Sequence, residues 1–430
     1  MKEILAIVFC FFVLAACDHM GSKNANTVTV WHWMTDRDDA FLKLARQYQK
    51  ETGIKVNFEL FSPSDAYSQK ITAAAQARVL PDIFGVLGEK KTFASFVENG
   101  FVADLTADYK ANEAAWEKSI FPKALAVNQF EEGNIYKVKP GIYGVPIDVA
   151  NIQVLYNKNL LKKAGINAPP KTFKELLGTV AALKKIGVSG FVSGWGEIWM
   201  INCFASNYAF NIMGQDKIMA TYRGEVPYTD PDWISVFNVF KEMADSGILT
   251  EGIVTKGNKY AEQDFALERT AFSFNGSWCV NVYNKMNPRL NYGVMLPPVY
   301  NEKLPMAIWG GAGSSFVVNG RSQSKQKAID FLKWLTAEVQ QTTFAAETKN
   351  LPANKKALSS VDPVLSGFAK GADYTTHPKV WEVNEDDKVI ERFAKGIQSI
   401  IIGDKTPKEV AQEVQALKEK VMEREKRHKK

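Results

Sequence analysis

The stretch Tyr143-Gly144-Val145-Pro146-Ile147-Asp148-Val149-Ala150-Asn151-Ile152-Gln153-Val154-Leu155-Tyr156-Asn157-Lys158-Asn159-Leu160-Leu161 decides how the chain is read. It opens apolar and strand-like, carries one acid at Asp148, and turns strand-like again before a Lys-rich helix start. Pro146 cannot donate a ladder hydrogen bond, so it predicts a strand end or a crossing point, not a sheet centre. A lone acid between two apolar segments is expected at a strand terminus, where a carboxylate meets solvent or a polar ligand.

The segments around it alternate. Thr27 to Trp33 is β-branched and aromatic, hence a strand. Asp38 or Asp39 then caps a helix carrying Phe41, Leu42, Ala45 and Tyr48, and Gly53 stops it. Ile54, Val56, Phe58 and Leu60 alternate with Lys55, Asn57 and Glu59, a half-buried strand. A helical stretch to Val79 and a strand from Asp82 to Leu87 follow. Farther on, Thr172 and Glu175 form a capping box, Asp230-Pro231 opens a helix ended by Gly247, and Thr406 to Glu409 caps the last helix. Ala271 to Asn275, Tyr292 to Leu296 and Ser315 to Asn319 read as strands. Strands alternating with helices predict an α/β fold whose ligands sit outside the strand C-terminal ends.

A chain of 430 residues is long enough for two lobes with separate cores. The aromatic share is 12%, with ten Trp, and flat aromatic faces are what sugar rings pack against. The net charge is +6, of which Lys418 to Lys430 carries +4, so the body is nearly neutral. That excludes a basic stripe for nucleic acid, and the tail reads as a solvated helix end. Four His and no Gly-x-Ser-x-Gly elbow argue against a catalytic triad, and no His or Cys spacing suits a metal. No cofactor is expected. Cys203 and Cys279 are read as buried thiols. Glu89, Asp148, Glu197 and Asp264 are the carboxylates a glycoside hydrolase would draw on. A sugar site needs aromatic faces plus carboxylates, amides or bare backbone in fixed geometry.

Near the N-terminus, the apolar run Ile4 to Val13 is too short to span a bilayer, which needs ~20 residues. It leads into Leu14-Ala15-Ala16-Cys17, which resembles the lipobox of bacterial lipoproteins. That resemblance implies cleavage before Cys17 and acylation of its thiol, leaving the protein anchored outside the cytoplasmic membrane.

Gly144-Val145-Pro146, Asp148 and Leu155-Tyr156-Asn157-Lys158 resemble a string of the family 1 extracellular solute-binding proteins, the maltose-binding-protein type of bacterial sugar ABC importers. Leu80 to Phe84, Ala271 to Trp278, Tyr292 to Pro297, Leu351 to Asn354 and Gly403 to Pro407 carry the resemblance along the chain. It implies a periplasmic-binding-protein-like fold (type II, cluster D-like): two α/β lobes joined by three hinge crossings, near Val145–Val149, Met295–Val299 and Glu347–Pro352. The expected division is residues 1–16 signal peptide, 17–26 lipidated tether, 27–146 and 298–348 N-terminal lobe, and 147–297 and 349–430 C-terminal lobe. A monomer is expected, with ABC permease subunits as partners.

The residues expected at the ligand combine strand-end position with that resemblance. His32, Trp33 and Asp36 follow the first strand. Asp148 is the family's acid. Trp195 and Trp199 lie in a Gly-rich string, and Asn275 precedes Trp278, the family's usual stacking platform. Trp309 with Gly310 and Gly311 matches a backbone contact, and Trp381 is added. After Pro81 to Phe84, family members often carry a sugar-touching aromatic or Asp; here Gly85 to Gly88 stand there, and Glu89 is the expected substitute. The expected function is capture of an oligosaccharide by hinge closure without making or breaking a bond. Two other readings stay open: a secreted polysaccharide-degrading enzyme, and the same fold holding a non-sugar solute such as a polyamine.

Overall fold

In the computed structural model residues 26–360 and 364–428 are described. Cys17, the signal peptide and most of the tether lie outside them.

Among the described residues twelve strands are formed: β1 (Thr27–His32), β2 (Lys55–Leu60), β3 (Ile83–Phe84), β4 (Gln129–Phe130), β5 (Gly141–Ile142), β6 (Val145–Asn157), β7 (Ser189–Val192), β8 (Thr270–Gly276), β9 (Tyr292–Met295), β10 (Ile308–Val318), β11 (Leu351–Pro352) and β12 (Thr375–Thr376). Ten share one sheet, ordered β2-β1-β3-β10-β6-β8-β7, with β9 and β11 also on β6 and β12 on β10. β1 pairs in parallel with β2 and β3, whereas β10 and β6 run antiparallel.

Local chemistry explains the element ends. The helix Asp38–Thr52 stops at Gly53, whose φ of 74° a side chain would resist. Thr172 and Glu175 make the reciprocal cap, each backbone N–H donating at 3.2 Å to the other's side chain. The strand expected over Asp82–Leu87 shrinks to two residues. Its first residue, Asp82, instead accepts from Thr29 N at 2.9 Å and Ser322 Oγ at 2.6 Å.

Two lobes each have a core. One gathers Val28, Phe41, Val145, Ile147, Phe316 and Phe331. The other gathers Ile152, Val154, Phe204, Phe240, Phe272 and Ile308. β6 is thus a single 13-residue strand that leaves one core and enters the other. Pro146 lies inside it, opposite Ser315, where the β6–β10 register slips. An irregular pair needs no ladder N–H from proline, so the strand continues through it.

One crossing differs from expectation and another is drawn out along the chain. The second, expected near Met295–Val299, is made by β10: Leu296 and Val299 pack against the second core, Met306 and Ile308 belong to it, and Phe316 and Val318 lie in the first. Residues 298–307, expected in the N-terminal lobe, therefore sit with the other one. At the third, expected near Glu347–Pro352, the chain touches both cores, with Leu351 in the C-terminal-side cluster. Ala353 still packs in the first core and Asn354 Nδ2 donates to Thr336 O at 2.9 Å, while Leu365 joins the C-terminal side. In both cases the apolar pattern marks burial without saying in which core.

Gly310 and Gly311, expected as a backbone contact to the ligand, lie with Gly313 within β10. A β-carbon at Gly310 would strike Thr375 and Asn151, and one at Gly313 would strike the Asp148 carboxylate. These glycines allow close packing at the crossing. Lys418, expected in a solvated tail, is buried with its Nζ 2.8 Å from Glu385. Cys203 and Cys279 are buried free thiols.

Candidate functional site

Of the expected aromatic side chains, Trp33 packs against the first lobe's clusters and Trp199, Trp278, Trp309 and Trp381 against the second lobe's core. Trp33 follows β1 and lies over Gly85, 5.1 Å from the Tyr67 ring. From the other lobe, Trp199 opens the helix Ile198–Arg223, and Trp278 follows β8 with its ring over Gly276. The Trp199 and Trp278 rings are 6.0 Å apart at 51°. Trp309 and Trp381 meet edge to face at 6.3 Å, with His377 6.1 Å from Trp309. Glu89, Asn202, Ser206, Tyr222, Trp309 and Trp381 line a cavity of about 50 Å³.

Hydrogen bonds cross the seam between the lobes. Lys379 Nζ donates to Val86 O at 2.9 Å, Tyr136 Oη to Asn384 Oδ1 at 2.8 Å, and Asn281 Nδ2 to Asp36 O at 2.7 Å. A pyranose ring needs more room than the cavity gives, so admitting one requires these contacts to loosen and the lobes to part.

Burial disturbs the charges here. It pushes the Glu89 carboxyl up to about 7, with Asp387 adding to the shift and Lys379 opposing it. It pulls Lys379 down to about 8 and His377 to about 3, the latter aided by Lys379 and Lys90. Glu89 therefore holds its proton more tightly folded than unfolded, where the value is 4.5. Its contribution to stability falls as pH rises from about 4.5 to about 7. His377 acts oppositely, costing stability as pH falls below 6.5. Thermal melts should show Glu89→Gln more stable than the parent at pH 8, with the difference shrinking at pH 5. An unchanged gap would contradict this assignment.

Several expected residues are buried within the lobes instead. His32 is fully buried between Phe41 and Phe58, with Nε2 3.1 Å from Asp38, because the alternation of β1 turns it into the core. Burial pulls its imidazole down to about 4. Trp195 is fully buried among Phe191, Phe204 and Phe240. Asn275 is buried, its amide donating to Glu262 at 3.3 Å. Asp148, expected at a strand terminus, lies mid-strand and fully buried, 2.6 Å from Arg37 Nη2 and accepting from Ser314 N at 2.6 Å. Gly310 and Gly311 are taken up in β10. Asp36 stays beside the seam, its Oδ1 3.7 Å from Arg37. Trp195→Phe should cost about 1–2 kcal/mol of stability in a denaturant melt while leaving ligand affinity unchanged.

Several residues at the seam were not expected from sequence. Arg37 had a visible signal, one base among Asp36, Asp38 and Asp39. Lys379, Asn384 and Tyr136 lie in irregular segments without periodicity. Of the hydrolase carboxylates, Asp264 is occupied by ion pairs with Lys256 and, at 3.1 Å, Arg269.

Residues 43–382 match the family model described as bacterial extracellular solute-binding protein. The chain belongs to that family. This solute-binding protein is 22% identical over 403 residues to the melibiose/raffinose/stachyose-binding protein MelE of Bacillus subtilis, covering 91% of this chain and 86% of the relative. It is 24% identical over 351 residues to a maltooligosaccharide ABC transporter solute-binding lipoprotein of Streptococcus pneumoniae, covering 79% of this chain and 75% of the relative. Among solved structures, a chitin oligosaccharide binding protein superposes with a TM-score of 0.79 at 20% identity, over 92% of this chain and 98% of that one. The solute-binding protein thus has the sugar-binder fold, two α/β lobes, and its family consists of binding proteins.

Proposed function

We propose that this solute-binding protein captures an oligosaccharide between its lobes and delivers it to the permease of an ABC importer. The observation that carries this is a cavity lined from both lobes, Glu89 of one with Trp309 and Trp381 of the other, amid hydrogen bonds that join the lobes. Sugar rings offer apolar C–H faces to such rings and hydroxyls to nearby carboxylates and amides. Trp33, Asp36, Glu89, Trp199, Trp278, Trp309 and Trp381 are the proposed contacts. A ligand touching both lobes favours their closure, and no bond is made or broken. The protein works outside the cytoplasmic membrane, held by lipid on Cys17, as a monomer. The sugar-binding names of the relatives support this reading.

A thermal-shift screen followed by titration calorimetry tests it, with raffinose, stachyose, maltotetraose, xylotetraose and chitotetraose against spermidine and divalent cations. At least one oligosaccharide should stabilise the protein and bind saturably, and be recovered unaltered. Binding of spermidine alone, or release of shorter sugars, would overturn it.

A further inference from the structure

We propose that Glu197 and Glu262 are positioning residues which, through one hydrogen-bonded chain, fix the planes of the Trp199 and Trp278 rings. The proposal rests on the sugar-binding reading of that pair.

Glu197 precedes the helix Ile198–Arg223, where an acid ordinarily accepts a backbone N–H of its own first turn. It makes no such cap. Instead Oε2 accepts from Trp199 Nε1 at 2.7 Å and Oε1 from Asn258 N at 2.7 Å. The indole N–H is the only polar handle of that ring, so holding it sets the ring's plane. Asn258 continues the chain, its Nδ2 donating to Glu262 Oε1 at 3.0 Å. Asn275 Nδ2 donates to the same oxygen at 3.3 Å, and Asn275 Oδ1 accepts from Gly276 N at 2.8 Å. That last bond ties down the turn that carries Trp278. The start of one helix, the helix Asn258–Ala266 and the end of β8 are thereby wired together, and the Trp199 and Trp278 rings lie 6.0 Å apart.

Glu262 is fully buried, its other oxygen 3.1 Å from Lys259 Nζ, and burial pushes its carboxyl up. A buried carboxylate is a poor device for stability alone, since apolar replacements often do as well or better. Holding two amides in register is what this carboxylate does that an apolar side chain cannot. Stacking catalogues of contacts gain affinity when the faces are held before the ligand arrives, because less ordering is left for the binding step.

The test uses the full chain labelled with 5-fluorotryptophan, the Trp199 and Trp278 resonances being assigned by single Phe substitutions. Glu197→Ala and Glu262→Ala should each shift or broaden both resonances without any sugar, and Glu262→Gln, which keeps the accepting oxygen, should leave both in place. Asn258→Ala breaks the same chain without removing a charge and should act like the two Ala variants, which keeps the test open if either of those fails to fold. Well below the melting temperature, the chain-breaking variants should bind the oligosaccharide found by the screen about five- to tenfold more weakly, and Glu262→Gln within twofold of the parent. Resonances that respond only to the nearest substitution, or affinities unchanged while melting temperatures fall, would overturn the proposal. The fluorine readout needs no ligand, so a protein that binds no sugar would sink the functional reading without deciding this one.

Discussion

Asp148→Ala is expected to lower the free energy of unfolding by about 3–5 kcal/mol, because it leaves the Arg37 guanidinium buried without its counter-charge. Arg37 is 4% exposed and Asp148 is not exposed at all, and they meet at 2.6 Å. The pair joins the loop after β1 to the middle of β6, and Ser314 N on β10 donates to the same carboxylate. Removing the acid therefore takes away at once the link from the loop to β6 and one bond between the two crossing strands. Asp148→Asn retains an acceptor for Ser314 N but not the charge, so it should fall between the parent and the alanine variant. Urea melts of the three proteins check the order. Had Asp148 been a sugar contact, as its place in the sequence suggested, the asparagine variant would lose affinity with little loss of stability.

Trp278→Ala should weaken oligosaccharide binding at least tenfold. The ring is half-buried against Gly276 and Trp199, which leaves part of it open to a ligand. Stacking a sugar there removes apolar area from water at about 25 cal/mol per Å², so 60 Å² or more of lost contact is worth roughly 1.5 kcal/mol. That is about tenfold in Kd. Calorimetry of the parent and variant with the same sugar reads the difference, and equal affinities would remove Trp278 from the site.

The elements whose ends are set by local chemistry were legible in the sequence. Gly53 ends its helix, Thr172 and Glu175 cap theirs, and Asp230-Pro231 opens the helix Pro231–Ser246, because each depends on neighbours in the chain. The crossings were less so. Val145 to Asn157 looks like two strands around an acid, yet it is one strand, since the Arg37 that neutralises Asp148 comes from 111 positions away. The same limit divides the site. Trp195 and Trp199 sit four residues apart, and nothing local tells that one fills a core and the other stays half-buried. His32 shows what alternation could have told. It occupies an inward position of β1, where a histidine needs a partner such as Asp38 and cannot reach a ligand. Lys379 and Tyr136 gave no signal, because contacts across two lobes depend on how the lobes meet.

Small-angle X-ray scattering, recorded before and after saturation with the oligosaccharide that calorimetry identifies, puts the enclosure of sugar between moving lobes to the most direct test. The radius of gyration should fall as the lobes come together on the ligand. Superimposable curves from the free protein and from protein with sugar demonstrably bound would contradict it.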